Sequence, residues 1–242
     1  MFYGILATRS CLLTDISDQL RETVLKANAV KRLSNHLSEG TPASAATSYL
    51  HTVKRLVPSE PVVLIDESDI VKPDGKQFET LGIVRDGSES TQTKSVYKKG
   101  YHVTEACALT ASKHPISVFS RIHSSAEKDY KSVNTITFDA IKQVAALFGK
   151  GTFVMDRGYV DNKIFLTLDH LKQDYVIRLK SNRKFLYYNK WTKATELRNR
   201  RKGKAKADVF SNRKRAYRIL FSEVSYKYFI SGIVSWDFYT AH

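Results

Sequence analysis

The chain has 242 residues and 42% hydrophobic content, which is enough for one substantial core with appendages and excludes a disordered tail. Cys11 and Cys107 lie far apart without a CxxC spacing, which argues against a zinc knuckle and against a disulfide-stapled secreted domain. No run approaches the roughly 20 apolar residues of a membrane span, and the N-terminus lacks a basic leader followed by an apolar stretch. We therefore expect a cytoplasmic protein with no membrane partner.

The net charge of +15 is concentrated in one segment. Lys180 to Arg218 holds 15 Lys and Arg against two acidic residues, so this basic block carries +13 of the total. Aromatic residues are interleaved with the charges, namely Phe185, Tyr187, Tyr188, Trp191, Phe210 and Tyr217. A dense positive block with aromatics indicates a folded surface for a nucleic acid. The alternative is a solvated loop that only aids solubility.

The first part of the chain is helical by its hydrophobic spacing. Apolar residues recur at helical intervals twice between residues 12 and 38, which predicts two short helices. A third helix is predicted after Thr41, with Pro42 at its first position. Three helices ahead of a sheet suit a DNA-reading bundle, and equally a dimerisation or packing layer.

From Pro61 onward the pattern is that of strands followed by alternating helices and strands. The predicted order is strands 62–66, 101–110 and 116–122, helix 137–148, strand 152–155, helix 162–171 and strand 175–179. The first three strands form an antiparallel meander, whereas strands separated by helices pair in parallel. The expected fold is therefore an α/β (α+β) domain built on a mixed sheet with flanking helices.

Two aspartates follow apolar strands. Asp66 follows Val62–Ile65, and Asp156 follows Thr152–Met155. If these strands lie side by side and parallel, both carboxylates emerge at the same edge of the sheet, where open sheets place their ligands. Two carboxylates there repel unless a cation lies between them, and Mg²⁺ suits oxygen ligands. The alternative is that each aspartate caps the turn that follows it.

Four stretches carry a resemblance to a known family, and they are residues 64–73, 82–88, 99–102 and 154–159. They resemble the DDE transposases of bacterial insertion sequences, specifically the insertion-sequence-four group, whose catalytic domain has a ribonuclease-H-like fold. The likeness covers roughly residues 5 to 236. It implies a bacterial, nucleoid-associated protein whose partner is double-stranded DNA, both transposon ends and target. It also implies a possible homodimer and no small-molecule substrate.

The resemblance further implies a set of site residues. In the family, two aspartates and one glutamate bind two Mg²⁺ or Mn²⁺ ions for in-line attack on a DNA phosphodiester. Asp66 matches the first catalytic carboxylate and Asp156 the second, with Asp69 as the alternative for the first and as a further metal ligand. Arg157 either binds a phosphate or pairs with Asp161. The basic block corresponds to a strand-rich insertion that tracks DNA, with the phosphate contacts Lys180, Arg183, Lys184, Arg198, Arg200, Arg201, Lys202, Lys204, Lys206, Arg213, Lys214 and Arg215.

The third carboxylate of the family has no match. Glu196 lies inside the basic block, and Glu223 lies in an alternating, strand-like run. We therefore expect a transposase truncated before its catalytic glutamate, with an N-terminal helical segment 1–58, a core 59–181 and an incomplete basic, β-rich insertion subdomain 182–242. One rival interpretation is an inactive DNA-binding remnant that inhibits transposition. Another is a host nuclease of the same fold that takes its third carboxylate from Glu67 or Asp69.

Overall fold

The chain divides into two units, Met1–Thr52 and Val53–His242. The computed structural model describes residues 2–91, 93–178, 184–187, 190–193, 195–196, 205–210, 216–225 and 231–236. No helix within these ranges has both the length and the apolar character that a membrane crossing requires. The three-part division at residues 58 and 181 stays a prediction.

The N-terminal unit is helical, as predicted. Its helices are α1 (Phe2–Thr8), α2 (Leu13–Leu20), α3 (Lys26–Ser38) and α4 (Ala43–Leu56), the last of which ends in the second unit. Ile16 of α2 and Ala29 and Leu33 of α3 are buried. Helix α1 was not predicted. It packs closely on α2 at Gly4, where an added Cβ would lie 2.5 Å from Ile16 Cγ2. The predicted helices α2, α3 and α4 are confirmed.

The second unit is built on a six-stranded mixed sheet. Its strands are β1 (Val62–Val71), β2 (Gly82–Arg85), β3 (Tyr97–Leu109), β4 (Pro115–His123), β5 (Thr152–Met155) and β6 (Asp174–Ile177). They lie in the order β2-β3-β1-β5-β6, with β4 also paired to β3. The pairs β1–β3, β2–β3 and β3–β4 are antiparallel, whereas β1–β5 and β5–β6 are parallel. The predicted meander and the predicted parallel neighbours are confirmed.

Two helices connect the parallel strands. They are α5 (Val133–Phe148) and α6 (Asn162–His170). Helix α5 begins four residues before the prediction because Ser132 caps it, its side chain accepting a hydrogen bond from the N–H of Thr135. Gly149 ends the helix with a positive φ of 81°. Mixed strands with helices between the parallel ones confirm the predicted α+β class.

The first strand is longer than the sequence indicated. It was expected to end at Asp66, but antiparallel pairing with β3 continues as far as Val71 opposite Gly100. The parallel pairing with β5, in contrast, ends at Ile65 opposite Met155. Asp66 therefore lies within β1, at the point where one of its two neighbours ends.

One face of the sheet carries the core. Val63 and Ile65 of β1 are buried, as are their partners on the neighbouring strands, Ala106, Ala108, Phe153 and Met155. Helices α5 and α6 complete this core with Ala140, Ile141, Val144, Ile164, Phe165 and Leu168. Because side chains alternate along a strand, Asp66 points to the opposite face from Ile65.

The C-terminal part of the chain is rich in strands, as predicted. Strands β7 (Lys184–Tyr187) and β8 (Lys190–Lys193) form an antiparallel hairpin. Strands β9 (Ala205–Phe210), β10 (Ala216–Ser225) and β11 (Ser231–Trp236) form an antiparallel sheet in the order β11-β10-β9. Glu223 lies in β10, in agreement with its strand-like pattern.

Candidate active site

The sheet brings Asp66 and Asp156 together. Ile65 and Met155 are partners in the parallel ladder of β1 and β5, and each aspartate is the next residue. Neighbouring strands lie about 4.8 Å apart, so the two aspartates start from adjacent backbone positions. Asp156 keeps an extended backbone beyond its strand, and both residues are exposed. About 90 residues of sequence separate two carboxylates that the register makes neighbours.

Each of these carboxylates binds a backbone N–H with one oxygen. Asp66 Oδ1 accepts from the N–H of Glu67 at 2.9 Å. Asp156 Oδ1 accepts from the N–H of Gly158 at 2.5 Å and so caps the 3₁₀ turn Arg157–Tyr159. Neither carboxylate forms an ion pair in the described part of the chain. The predicted capping role is thus confirmed for Asp156, and it leaves Oδ2 available for a cation.

Gly158 leaves room for the Asp156 carboxylate. A Cβ there would lie 2.8 Å from Asp156 Oδ1, closer than real Cβ atoms approach. The turn after Asp156 is therefore a cap in which the glycine lets the carboxylate approach its N–H.

Asp69 and Glu67 lie on the other face of β1 from Asp66, because side chains alternate along the strand. Their common neighbour is His102 of β3, which is the register partner of Asp69. His102 Nδ1 lies 2.8 Å from Asp69 Oδ1 and 3.4 Å from Glu67 Oε1. The geometry thus favours Asp66 over Asp69 as the neighbour of Asp156.

A buried polar cluster extends from His102 across the sheet. His102 stacks on His123 with ring centroids 5.6 Å apart, and His123 stacks on Tyr130 at 6.0 Å. His123 is fully buried and lies 2.9 Å from Thr104 Oγ1 in a hydrogen bond. Burial, together with the charge of His102, lowers the pKa of His123. His102 lies within β3.

Glu67 lies between this cluster and Asp66, its neighbour in the chain. Burial raises the pKa of its carboxyl group, the charge of His102 lowers it, and the charges of Asp69 and Asp66 raise it further. Its Oε1 atom is buried and has no hydrogen-bond partner among the described residues. Glu67 Oε1 thus contacts His102 Nδ1 at 3.4 Å without a hydrogen bond.

Tyr159 lies in the turn that the Asp156 carboxylate caps. The residue is only 7% exposed, and its ring belongs to the core below the sheet. Burial raises the pKa of the hydroxyl well above its usual value, and the charges of Glu67, Asp66 and Asp156 raise it further. The hydroxyl has no hydrogen-bond partner in the described part of the chain. Glu67 was named from the sequence as a possible third carboxylate of a nuclease, whereas Tyr159 was not singled out, since its surroundings depend on the strand register.

The donor set suits a hard divalent cation. Carboxylate oxygens are the ligands that Mg²⁺ and Mn²⁺ prefer, and Asp66 and Asp156 each keep an oxygen that no described group occupies. Among the described residues no group of three or more His, Cys, Asp or Glu is arranged to hold a metal ion. The described part therefore provides two adjacent carboxylates that suit such a cation.

The structure describes only some of the residues that were predicted to contact DNA. Arg157 is exposed, and in the described ranges it forms no ion pair with Asp161, which instead caps α6 by accepting from the N–H of Lys163 at 2.7 Å. Lys184 is exposed in β7, and Lys206 lies in β9. The remaining predicted contacts lie outside the described residues, namely Lys180, Arg183, Arg198, Arg200, Arg201, Lys202, Lys204, Arg213, Lys214 and Arg215.

The mixed sheet with two neighbouring aspartates at its centre places the chain in the ribonuclease-H-like class. A family model, the transposase DDE domain, matches residues 58–231. The chain belongs to the transposase DDE domain family. The match covers the whole six-stranded sheet, both aspartates and the whole basic block.

Comparison with solved structures gave a remote similarity. The chain is similar to the Drosophila P element transposase in its strand transfer complex, with 12% identity and a TM-score of 0.28. The match covers 81% of this chain and 51% of that one, so this chain spans about half the length of that transposase. The comparison with curated proteins gave no match. The family assignment rests on the sequence match.

Proposed function

We propose that this chain is the catalytic part of a DNA transposase that cleaves and transfers strands at the ends of a mobile element. The observation that carries the proposal is the register of β1 and β5, which makes Asp66 and Asp156 neighbours. The family match supports it, because the match includes both aspartates. Membership of the insertion-sequence-four group of transposases is also part of the proposal.

In this proposal Asp66 and Asp156 hold Mg²⁺ or Mn²⁺ between them. When bound, two such ions activate the attacking water or 3′-hydroxyl and stabilise the leaving oxygen. The chain orients its own ligands through the N–H groups of Glu67 and Gly158, which fix one oxygen of each carboxylate. Arg157 is exposed beside Asp156 and free of ion pairs among the described residues, so it is available to a DNA phosphate.

The basic block supplies the DNA-binding surface. Strands β7 to β10 begin within this segment, which holds 15 Lys and Arg, and they belong to a hairpin and a three-stranded sheet. Such a surface positions a duplex through its phosphates without reading sequence. A homodimer on the DNA is part of the proposal, as transposon ends come in pairs.

Two other functions are kept as alternatives. The described part holds two carboxylates and no complete three-ligand group, which favours a DNA-binding protein that competes at the element's ends. A host nuclease is supported by Glu67, which follows Asp66 directly and whose Oε1 is buried without a hydrogen-bond partner among the described residues. For that nuclease, Glu67→Ala would abolish nicking as completely as Asp66→Ala.

The test is single-turnover cleavage of labelled duplex DNA with Mn²⁺ or Mg²⁺ by wild type, Asp66→Ala and Asp156→Ala at equal DNA occupancy. We expect cleavage by wild type that is lost in both variants, by at least about 100-fold if each ligand is essential. Cleavage that persists in either variant would contradict the proposed site. Binding of DNA without cleavage in all three would support the DNA-binding alternative.

A further inference from the structure

Two tyrosines are buried in the same core, and they differ in the partners of their hydroxyl groups. Tyr175 of β6 is 8% exposed, and its hydroxyl is hydrogen-bonded to Asp169. Tyr159 is 7% exposed, and its hydroxyl has no hydrogen-bond partner among the described residues. Buried tyrosine hydroxyls usually find a partner, so the unpaired hydroxyl of Tyr159 needs an explanation.

Packing does not explain it, because the ring alone fills the site. The aromatic ring of Tyr159 belongs to the core with Phe165 and Ile164, and phenylalanine would supply the same ring without burying an unpaired polar atom. The fold thus keeps a hydroxyl that makes the core less favourable. Groups held at such a cost are concentrated at functional sites.

The surroundings of the hydroxyl indicate what it is for. Tyr159 lies in the turn that the Asp156 carboxylate caps. The charges of Glu67, Asp66 and Asp156, here called the acidic cluster, raise the pKa of its hydroxyl, and the effect of Glu67 is the largest of the three. Glu67 Oε1 is itself buried without a hydrogen bond among the described residues. A protonated hydroxyl among carboxylates has one favourable interaction available, which is to donate a hydrogen bond to them.

We propose that Tyr159 is a positioning residue of the cation site, whose hydroxyl donates a hydrogen bond to a carboxylate oxygen of the acidic cluster once a cation is bound. This donation offsets negative charge beside the ion and fixes the orientation of the carboxylate that accepts it. The inference rests on the proposed function, because it requires that Asp66 and Asp156 share a cation.

The test compares Tyr159→Phe with Tyr175→Phe, its matched control, in the full chain. Two quantities are measured for each: the melting temperature in EDTA and the Kd for Mn²⁺ from calorimetric titration. Tyr159→Phe is expected to weaken Mn²⁺ binding about tenfold or more, the effect typical of groups that orient metal ligands. Its melting temperature in EDTA is expected to equal or exceed that of wild type. Tyr175→Phe is expected to melt lower and to bind Mn²⁺ as wild type does.

Two results would overturn the inference alone. One is Mn²⁺ binding by Tyr159→Phe as tight as that of wild type. The other is a drop in melting temperature in EDTA as large as that of Tyr175→Phe, which would show that the hydroxyl is structural. A wild-type chain that binds no Mn²⁺ would overturn both this inference and the cation site of the proposed function, so the two failures are distinguishable.

Discussion

At the scale of single residues, Gly158 controls where the Asp156 carboxylate lies. We predict that Gly158→Ala weakens Mn²⁺ binding by about tenfold, because the added Cβ would lie 2.8 Å from Asp156 Oδ1 and displace it. The melting temperature is expected to change little, since the displaced carboxylate is exposed. Calorimetric titration with Mn²⁺ and thermal melts check the two parts. Unchanged affinity in a folded variant would show that Asp156 need not be held by its cap.

Asp86 holds the loop between β2 and β3 and gives a pH-dependent prediction. The side chain is 4% exposed, accepts from Ser88 and Glu89, and lies 3.0 Å from Lys98 Nζ. The hydrogen bonds from Ser88 and Lys98 are the main causes that lower its pKa to about 2. A lowered pKa stabilises the fold fully above the unfolded value of about 3.9 and loses this effect as pH falls through about 2.

We therefore predict that Asp86→Asn lowers the melting temperature at neutral pH and that the gap to wild type closes between about pH 4 and pH 2. Thermal melts across this range test it, with Asp74→Asn on an exposed turn as the control. A gap that is constant with pH would mean that the Asp86 charge contributes nothing.

Some of these residue roles were readable from the sequence and some were not. Asp66 and Asp156 were found because each follows an apolar run, which is visible in the sequence itself. Glu67, His102 and Tyr159 come from three different segments, and only the register that sets Asp69 opposite His102 brings the first two together. The sequence left open whether Asp66 or Asp69 lies beside Asp156. The extended strand β1 answers this, because side-chain alternation puts the two residues on opposite faces.

At the scale of elements, Gly100 allows β3 to lie between β1 and β2. A Cβ there would overlap the backbone oxygen of Ile70 and come 2.6 Å from Val84 Cγ2. We predict that Gly100→Ala destabilises the fold by about 1–3 kcal/mol, the usual cost of overpacking, because a backbone atom cannot move aside. Urea denaturation measures it. Gly87→Ala is the matched control, since nothing lies within 4 Å of its added Cβ, and equal stability of the two variants would contradict the prediction.

The elements themselves were largely predictable, with errors that have physical causes. The helices α5 and α6 and strand β5 follow from clear apolar periodicity. Strand β1 was predicted too short because its second half carries the polar residues Glu67 and Asp69. These residues interrupt the apolar run, although the strand goes on pairing with β3. Strand β2 has only four residues and was missed, since its stability comes from pairing with β3.

At the scale of the whole molecule, the positive charge concentrated in the basic block is expected to determine which surface binds DNA. We predict that replacing Arg200, Arg201, Lys202 and Lys204 with Gln weakens DNA binding. The logarithm of the DNA-binding constant should also fall less steeply with the logarithm of the salt concentration, the slope changing by roughly 0.9 for each phosphate that is no longer neutralised. Fluorescence titrations between low and moderate salt check this. The control replaces four exposed lysines of the core unit, Lys113, Lys128, Lys131 and Lys142. An unchanged slope in the first variant would mean that the block is a solvated loop.

The most direct test of the proposed site is whether Asp66 and Asp156 share one cation. Mn²⁺ binding is measured for wild type, Asp66→Asn, Asp156→Asn and the double variant. If the ion is shared, each single variant loses most of the affinity and the double variant loses little more, because the two effects are not additive. Losses that add independently, or a single variant that binds as wild type does, would contradict a site built from these two strands.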